Sequence, residues 1–283
     1  MRRSDTIRSV GPSVVAFGSR IASTNKLAPP PFPPIIGTGF VVDSRGLVVT
    51  NRHVIEEMEK IPSEARFVMV FPRPHVFDEK VVAGILTRRI SRVFILDALE
   101  APEPLFGEVN PDFAFAEIDL QGLPCLELSA EANVIEVGSE VVTMGFPMGE
   151  QYLSPYSTDT ISQISPFARH GIISSVLPCE CEHPHGFSID ILSEGGASGS
   201  PIFLAEEPTV VGILHAGFAH APVTYGVPAW ILRQGLDALK KDWEPQQAKA
   251  TLNEVVEAER STAPKPLEWT RIFRVQSPPD RQG

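Results

Sequence analysis

Up to about residue 228 the chain breaks into short β-branched or aromatic runs, GFVVD, GLVVT, RFVMVF, DFAFAEI, EVVTMGF, GIISSV, SPIFL and TVVGILH, separated by Gly, Pro, Asn and Ser. Runs of this length between turn residues are strand signals, because β-branched and aromatic side chains pack well on a pleated surface. Their number and spacing predict a sandwich or barrel with few helices. At 283 residues with 43% hydrophobic content, the chain can bury a large core, as one big all-β domain or two smaller units. From Pro228 the period changes. Trp230, Ile231, Leu232, Leu236 and Leu239 recur near helical spacing, and Lys240 and Lys241 suit the carboxyl end of a helix. KATLNEVVEAER predicts a further short helix, and the polar, Pro-bearing residues after it read as loosely held. LAPPPFPPII at 27–36 reads as an extended, polyproline-like loop before the first strong strand.

The formal charge of -11 argues against a nucleic-acid or anionic-membrane partner, either of which is met by clustered Lys and Arg. A protein substrate or partner is expected instead. After MRRSDTIRS the only apolar run is the short VVAF at 14–17, which is no export signal, and cytoplasm is the expected compartment. No stretch approaches the roughly 20 apolar residues of a membrane helix. Cys125, Cys179 and Cys181 form an odd set too small to staple a secreted scaffold, so no disulfide framework is expected.

Three stretches carry candidate chemistry in the order His, Asp, Ser: GTGFVVDSRGLVVTNRH ending at His53, NPDFAFAEI around Asp112, and EGGASGSPIF around Ser198. A serine hydroxyl is a poor nucleophile until an imidazole takes its proton, and a carboxylate must hold that imidazole in the right tautomer. A lone serine in a glycine-rich turn is ordinarily a loop residue. Ser198 stands out because the small residues of GGASGSP let the backbone turn tightly and aim N–H groups inward.

Together these segments resemble the chymotrypsin-fold, or trypsin-like, serine peptidases, and most closely the bacterial HtrA-type and glutamyl-endopeptidase-like branches. In that family the histidine ends a T-N-x-H segment entered from a G-S/T-G-F strand, as TNRH and GTGF do here. The aspartate opens a D-hydrophobic-A strand, as DFAFAEI does, and the serine sits in G-x-S-G-G/S-P, as GASGSP does. Asp97 and Asp119 are rival carboxylates, but neither opens the expected strand. The resemblance implies an all-β fold of two six-stranded antiparallel barrels, at about 10–120 and 121–228, closed by a helix at 229–242. These make a peptidase domain over 10–242, with 243–283 a short extension. It implies that His53 is the general base and then acid, Asp112 its orienting carboxylate, and Ser198 the nucleophile. The N–H groups of Gly196 and Ser198 form the oxyanion hole, and no cofactor is needed.

The floor of the primary pocket falls by this resemblance near Leu192, with walls near His215, Ala216 and Gly217, which leaves no acidic floor for Lys or Arg. An apolar or small residue before the scissile bond is expected. Substrate main chain is expected to pair as an added strand with Ile213, Leu214, His215, Ala216 and Gly217, so an unfolded segment or exposed loop is the implied partner. Glutamate-cutting relatives use a histidine one position earlier than His215. A one-residue offset flips a strand side chain to the other face, so a structural role for His215 is expected.

The residue before the serine is Ala197, not the Asp that pairs with a newly cut amino terminus in zymogen-activated members, so that activation is not expected. HtrA-type relatives usually carry peptide-binding PDZ domains after the peptidase, and with fewer than fifty residues after the closing helix, control by such a domain in the same chain is not expected. CECEHPH at 179–185 puts Cys179, Cys181, His183 and His185 at alternate positions, and thiolates and imidazoles are zinc ligands. Four ligands in seven consecutive residues wrap a tetrahedral ion poorly and Pro184 disrupts a strand, so a polar hairpin tip is expected there. The competing reading from another class is a catalytically silent or partner-activated binding module of the same fold.

Overall fold

Each run predicted as a strand coincides with one in the computed structural model, which describes residues 1–19, 34–73, 75–77, 80–82, 85–96, 111–131, 134–149, 164–217, 221–246 and 250–262. The amino-terminal half supplies β1 (Val14–Ser19), β2 (Ile35–Asp43), β3 (Leu47–Thr50), β4 (Arg66–Val70), the small ribbon β5 (His75–Phe77) and β6 (Lys80–Val82), then β7 (Leu86–Arg88), β8 (Ile90–Ile95) and β9 (Ala114–Ile118). Apart from the ribbon, these join in one antiparallel sheet of order β7-β4-β1-β2-β3-β9-β8. The carboxyl-terminal half supplies β10 (Glu140–Gly145), β11 (Phe167–Leu177), β12 (Gly186–Ile189), β13 (Pro201–Leu204), β14 (Val210–Gly217) and β15 (Thr224–Pro228). These close into a six-stranded barrel of order β10-β11-β12-β15-β14-β13. The second half is therefore the expected six-stranded barrel. The first is an open sheet of seven strands, because the chain turns back at Arg89 and makes two short strands, β7 and β8, that become its opposite edges.

Strand parity explains where the core sits. Val15 and Phe17 of β1 join Val41, Val48, Val68, Ala114 and Ala116 inside the amino-terminal sheet. Their neighbours Val14 and Ala16 face a seam shared with Phe40, Phe115, Val142, Met144, Phe203 and Ile213, drawn from both sheets. In the closed barrel, Val141, Ile173, Phe187, Ile189, Ile202 and Leu214 fill the interior. Strands at the seam thus bury both faces, and each sheet contributes alternate side chains to two cores.

Four helices complete the described chain: α1 (Arg3–Val10), α2 (Arg52–Glu59), α3 (Ala229–Asp242) and α4 (Leu252–Thr262). α3 occupies the predicted 229–242, with Trp230, Ile231, Leu232 and Leu236 buried in the seam core. α4 covers most of the predicted KATLNEVVEAER helix. Neither α1 nor α2 is predicted. α2 forms because Val54, Ile55 and Met58 fall on one helical face and cover the amino-terminal sheet's interior. Of the Pro-rich loop, Ile35 and Ile36 already belong to β2, and residues 27–33 lie outside the described residues, as do the last twenty or so.

Candidate active site

The chain passes from β3 through Asn51 into α2, which places His53 in the first helical turn, where backbone N–H groups have no partner within the helix. Asp112, just before β9, fills that gap. Its Oδ1 accepts the His53 backbone N–H at 3.0 Å and its Oδ2 lies 2.6 Å from His53 Nδ1. The fully buried Asn51 donates from Nδ2 to the Asp112 carbonyl at 2.7 Å, and Thr50 Oγ1 donates to the Thr38 carbonyl at 2.7 Å. The T-N-x-H segment is therefore a set of anchors around the His53–Asp112 pair.

Burial pushes the Asp112 carboxyl up, but the hydrogen bonds from the His53 ring and backbone N–H outweigh it, so the group lies below the ordinary carboxylate value. An ionised carboxylate only accepts, so His53 Nδ1 carries the proton and Nε2 keeps its lone pair. The same bond raises His53 above the ordinary histidine value, against the opposing effect of burial. Asp119 sits at the far end of β9, and Asp97 is outside the described residues.

Ser198 lies on a turn whose glycines are required by their surroundings. Gly196 and Gly199 both have φ of +90°, and a Cβ would fall 2.4 Å from the Phe146 carbonyl oxygen at the first and 1.9 Å from the Thr38 carbonyl oxygen at the second. Thr38 fastens this turn to β2: its N–H donates to the Ser198 carbonyl at 2.8 Å, and its hydroxyl donates to the Gly196 carbonyl at 2.7 Å while accepting from Phe146 N–H at 3.0 Å. Gly37, one residue earlier, has no room for a side chain. A Cβ there would meet Val54 at 2.6 Å and the Ser198 carbonyl at 3.3 Å, so helix α2 and the serine turn flank the same glycine.

The Gly195–Gly196 peptide is oriented from one side. Met148 N–H donates to the Gly195 carbonyl at 2.6 Å, and because the peptide is planar and trans, the Gly196 N–H points the opposite way. Among the described residues neither the Gly196 nor the Ser198 N–H donates a hydrogen bond, and the Ser198 hydroxyl donates none to His53. Met148 holds φ of 63°, a left-handed conformation unusual for a side-chain-bearing residue, and so aims its N–H at the serine turn. Thr38 and Met148 are the site residues that sequence reasoning missed. GTGF marked the segment of Thr38 as family-like but gave no sign of what its side chain does, and no motif marked Met148.

The expected pocket residues divide. Leu192 is exposed, and Ala216 and Gly217 are exposed at the end of β14. A Cβ on Gly217 would lie 2.8 Å from Ser193 Cβ, so wall and floor approach closely. Ile213 and Leu214, expected to pair with substrate through their main chain, have buried side chains: parity sends Ile213 to the seam and Leu214 into the barrel. Leu214 N–H and C=O are already bonded to the Ser200 carbonyl and Gly199 N–H. His215 turns from the pocket wall toward Asp112, its Nδ1 3.8 Å from Oδ2. Arg169 of β11 donates to the Leu192 carbonyl and to Glu194, at 3.3 Å for the latter, and so braces the loop that leads to Gly195.

Cys179, Cys181, His183 and His185 lie on or beside the tip of the β11–β12 hairpin, not along a strand. The tip docks on α3: the His183 ring meets the Trp230 ring edge-on at 5.3 Å, and Trp230 Nε1–H donates to the Pro184 carbonyl at 3.0 Å. No group of three or more His, Cys, Asp or Glu side chains among the described residues is arranged to hold a metal ion.

An open antiparallel sheet packed on a closed six-stranded barrel is the architecture of a chymotrypsin-like double β-barrel. The chain belongs to the trypsin-like peptidase domain family, whose model matches residues 37–213. Among curated proteins it is 23% identical over 218 residues to a probable periplasmic serine endoprotease, DegP-like, of Rickettsia conorii, covering 73% of this chain and 34% of that one. The chain thus spans about a third of the length of that relative. Solved structures of similar fold include the HtrA-type protease AlgW with a tripeptide (TM-score 0.55, 16% identity, 86% of this chain and 64% of that one). A serine endoprotease from Yersinia pestis is similar too (TM-score 0.53, 17% identity, 86% and 68%).

Proposed function

We propose that the chain is a serine endopeptidase in which Ser198 is the nucleophile, His53 the general base and acid, and Asp112 the carboxylate that orients His53. The observation that carries this reading is the two-point hold of Asp112 on His53, through ring and backbone at once, which leaves Nε2 as the proton acceptor. In acylation, Nε2 takes the Ser198 hydroxyl proton as Oγ bonds to the scissile carbonyl carbon. The oxyanion accepts from the two free N–H groups of Gly196 and Ser198, each worth a few kcal/mol in the transition state. Nε2 then gives its proton to the leaving nitrogen as the C–N bond breaks. Water, deprotonated by the same nitrogen, attacks the ester, and the carboxylic product leaves as the proton returns to Oγ. Apo hydrogen bonds of this kind are often loose and tighten only with substrate, as a Ser198 hydroxyl without a bond to His53 requires.

The substrate is an extended polypeptide segment laid beside residues 215–217, the part of β14 that runs past the buried Ile213 and Leu214. The close approach of Gly217 to Ser193 and the exposed Leu192 favour a small, uncharged residue before the scissile bond. The test is hydrolysis of unfolded casein and of peptide anilides ending in Ala, Val, Lys or Glu. Cleavage by the wild type, strongest after Ala or Val and abolished in Ser198→Ala, is expected. Cleavage that survives Ser198→Ala overturns the assignment of the nucleophile.

A further inference from the structure

The same carboxylate oxygen that holds the His53 ring also faces a second imidazole. His215 Nδ1 stands 3.8 Å from Asp112 Oδ2, within ion-pair range but beyond hydrogen-bond distance. Alternation along β14 puts it there. Ile213 faces the seam between the sheets and Leu214 the barrel interior, so His215 returns to the seam side, where Asp112 lies. A bulge between Leu214 and Ala216 lets β14 keep its pairing with β15 across this residue. The acyl-transfer steps use one imidazole on Asp112 and leave His215 without a part.

We propose that His215 is a positioning residue of this site: a second imidazole, facing the same carboxylate oxygen without a hydrogen bond to it, that competes with His53 for the single negative charge of Asp112. The proposal rests on the reading of His53, Asp112 and Ser198 as the reacting group. Two imidazolium rings beside one carboxylate repel, so the first proton taken up goes to the ring with the direct hydrogen bond and the second is resisted. Burial also holds His215 below the ordinary histidine value, with Asp112 opposing and a charged His53 reinforcing that shift.

His53 also feels Glu56 and Glu57 of its own helix. Of the described neighbours of β14, β13 carries no acid or base and β15 only Tyr225; on α3, Arg233 pairs with Asp237 and Lys240 with Asp43, and Lys241 and Asp242 lie in its last turn.

The test is a nuclear magnetic resonance titration of the histidine rings in the full chain, for the wild type, His53→Ala, His215→Gln and His215→Arg. In His53→Ala the His215 midpoint moves up, because its rival for Asp112 is gone. In His215→Arg, a permanent cation beside Asp112, the His53 midpoint moves down and acylation slows on the order of 100-fold with little change in KM. His215→Gln, neutral and of similar reach, leaves the His53 midpoint near its wild-type position, which separates charge from disturbed packing. A His215 midpoint unmoved in His53→Ala, or a His53 midpoint unmoved in His215→Arg, overturns the proposal. The titration needs no turnover. An inactive wild type that still shows the coupling contradicts the protease reading alone, and an active one without it contradicts this inference alone.

Discussion

A carboxylate that accepts from both the backbone and the ring of one histidine fixes position, tautomer and charge together, so the behaviour of His53 with pH is a direct consequence of Asp112. In the proposed mechanism the base form of His53 is the reactive one, and its titration is raised above the ordinary histidine value. Acylation is therefore expected to fall as pH drops through a midpoint above that value. Asp112→Asn removes the charge that raises it, so the acid limb moves to lower pH while the rate falls by about 10³–10⁴-fold, as the ring loses its preferred tautomer. A rate profile unmoved by Asp112→Asn contradicts the pairing. Thr38→Val is nearly isosteric, yet it strips a donor from the Gly196 carbonyl and an acceptor from Phe146 N–H. Leaving these groups unpaired costs about 1–3 kcal/mol, and acylation is expected to slow by at least tenfold with the fold retained by circular dichroism. At this scale the sequence was most legible where side-chain chemistry is specific to a residue type, as at His53 and Asp112, which the structure brings together. It was least legible at Met148, whose contribution is a backbone direction, and at His215, whose neighbour across the seam comes from a segment about a hundred residues away.

Elements with one buried face and clear turn signals were readable, and α3 was found from its period and the lysines at its carboxyl end. β1 was harder because all six of its residues are buried, split between two cores, and so show no alternation. α2 was hidden by its length: eight residues give two turns, and its amphipathic face is visible only once the interior it covers is known. The alternating Cys and His of 179–185 matched a one-faced strand, but the chain reverses there and the tip is spent on packing against α3. The loop before the serine turn is held from outside by Arg169, through the Leu192 carbonyl and Glu194. Both partners are partly exposed, so the pair contributes little to global stability. Its effect is local. Arg169→Ala is expected to shift the unfolding midpoint little while lowering kcat/KM about tenfold, and a reversed pair, Arg169→Glu with Glu194→Arg, recovers part of it. Full activity in Arg169→Ala would show that the loop holds its shape unaided.

The two sheets share the seam core, and the chain after α3 ties that assembly from outside. Trp243 is buried under the Arg45 guanidinium at 4.7 Å. Arg45 and Lys240 meet on Asp43, whose carboxyl is held well below the usual range, chiefly by Arg45. Glu117 of β9, buried in the amino-terminal sheet, accepts from Arg92 and from Gln246 N–H at 2.7 Å, and Arg92 also reaches the Glu244 carbonyl. Gln121 then pairs with Thr251 at the start of α4. Glu117→Ala leaves Arg92 and the Gln246 N–H without their acceptor and is expected to cost about 2–3 kcal/mol by denaturant unfolding, toward the low end because Arg92 is partly solvated. An unchanged midpoint would mean that this strap is dispensable. The central claim is that both halves of the molecule present one activated serine, and labelling with a fluorophosphonate probe tests it most directly. The account expects rapid labelling of the wild type at Ser198, loss of it in Ser198→Ala, and strongly slowed labelling in His53→Ala and Asp112→Ala. A wild type that does not label, or a label that survives Ser198→Ala, contradicts it.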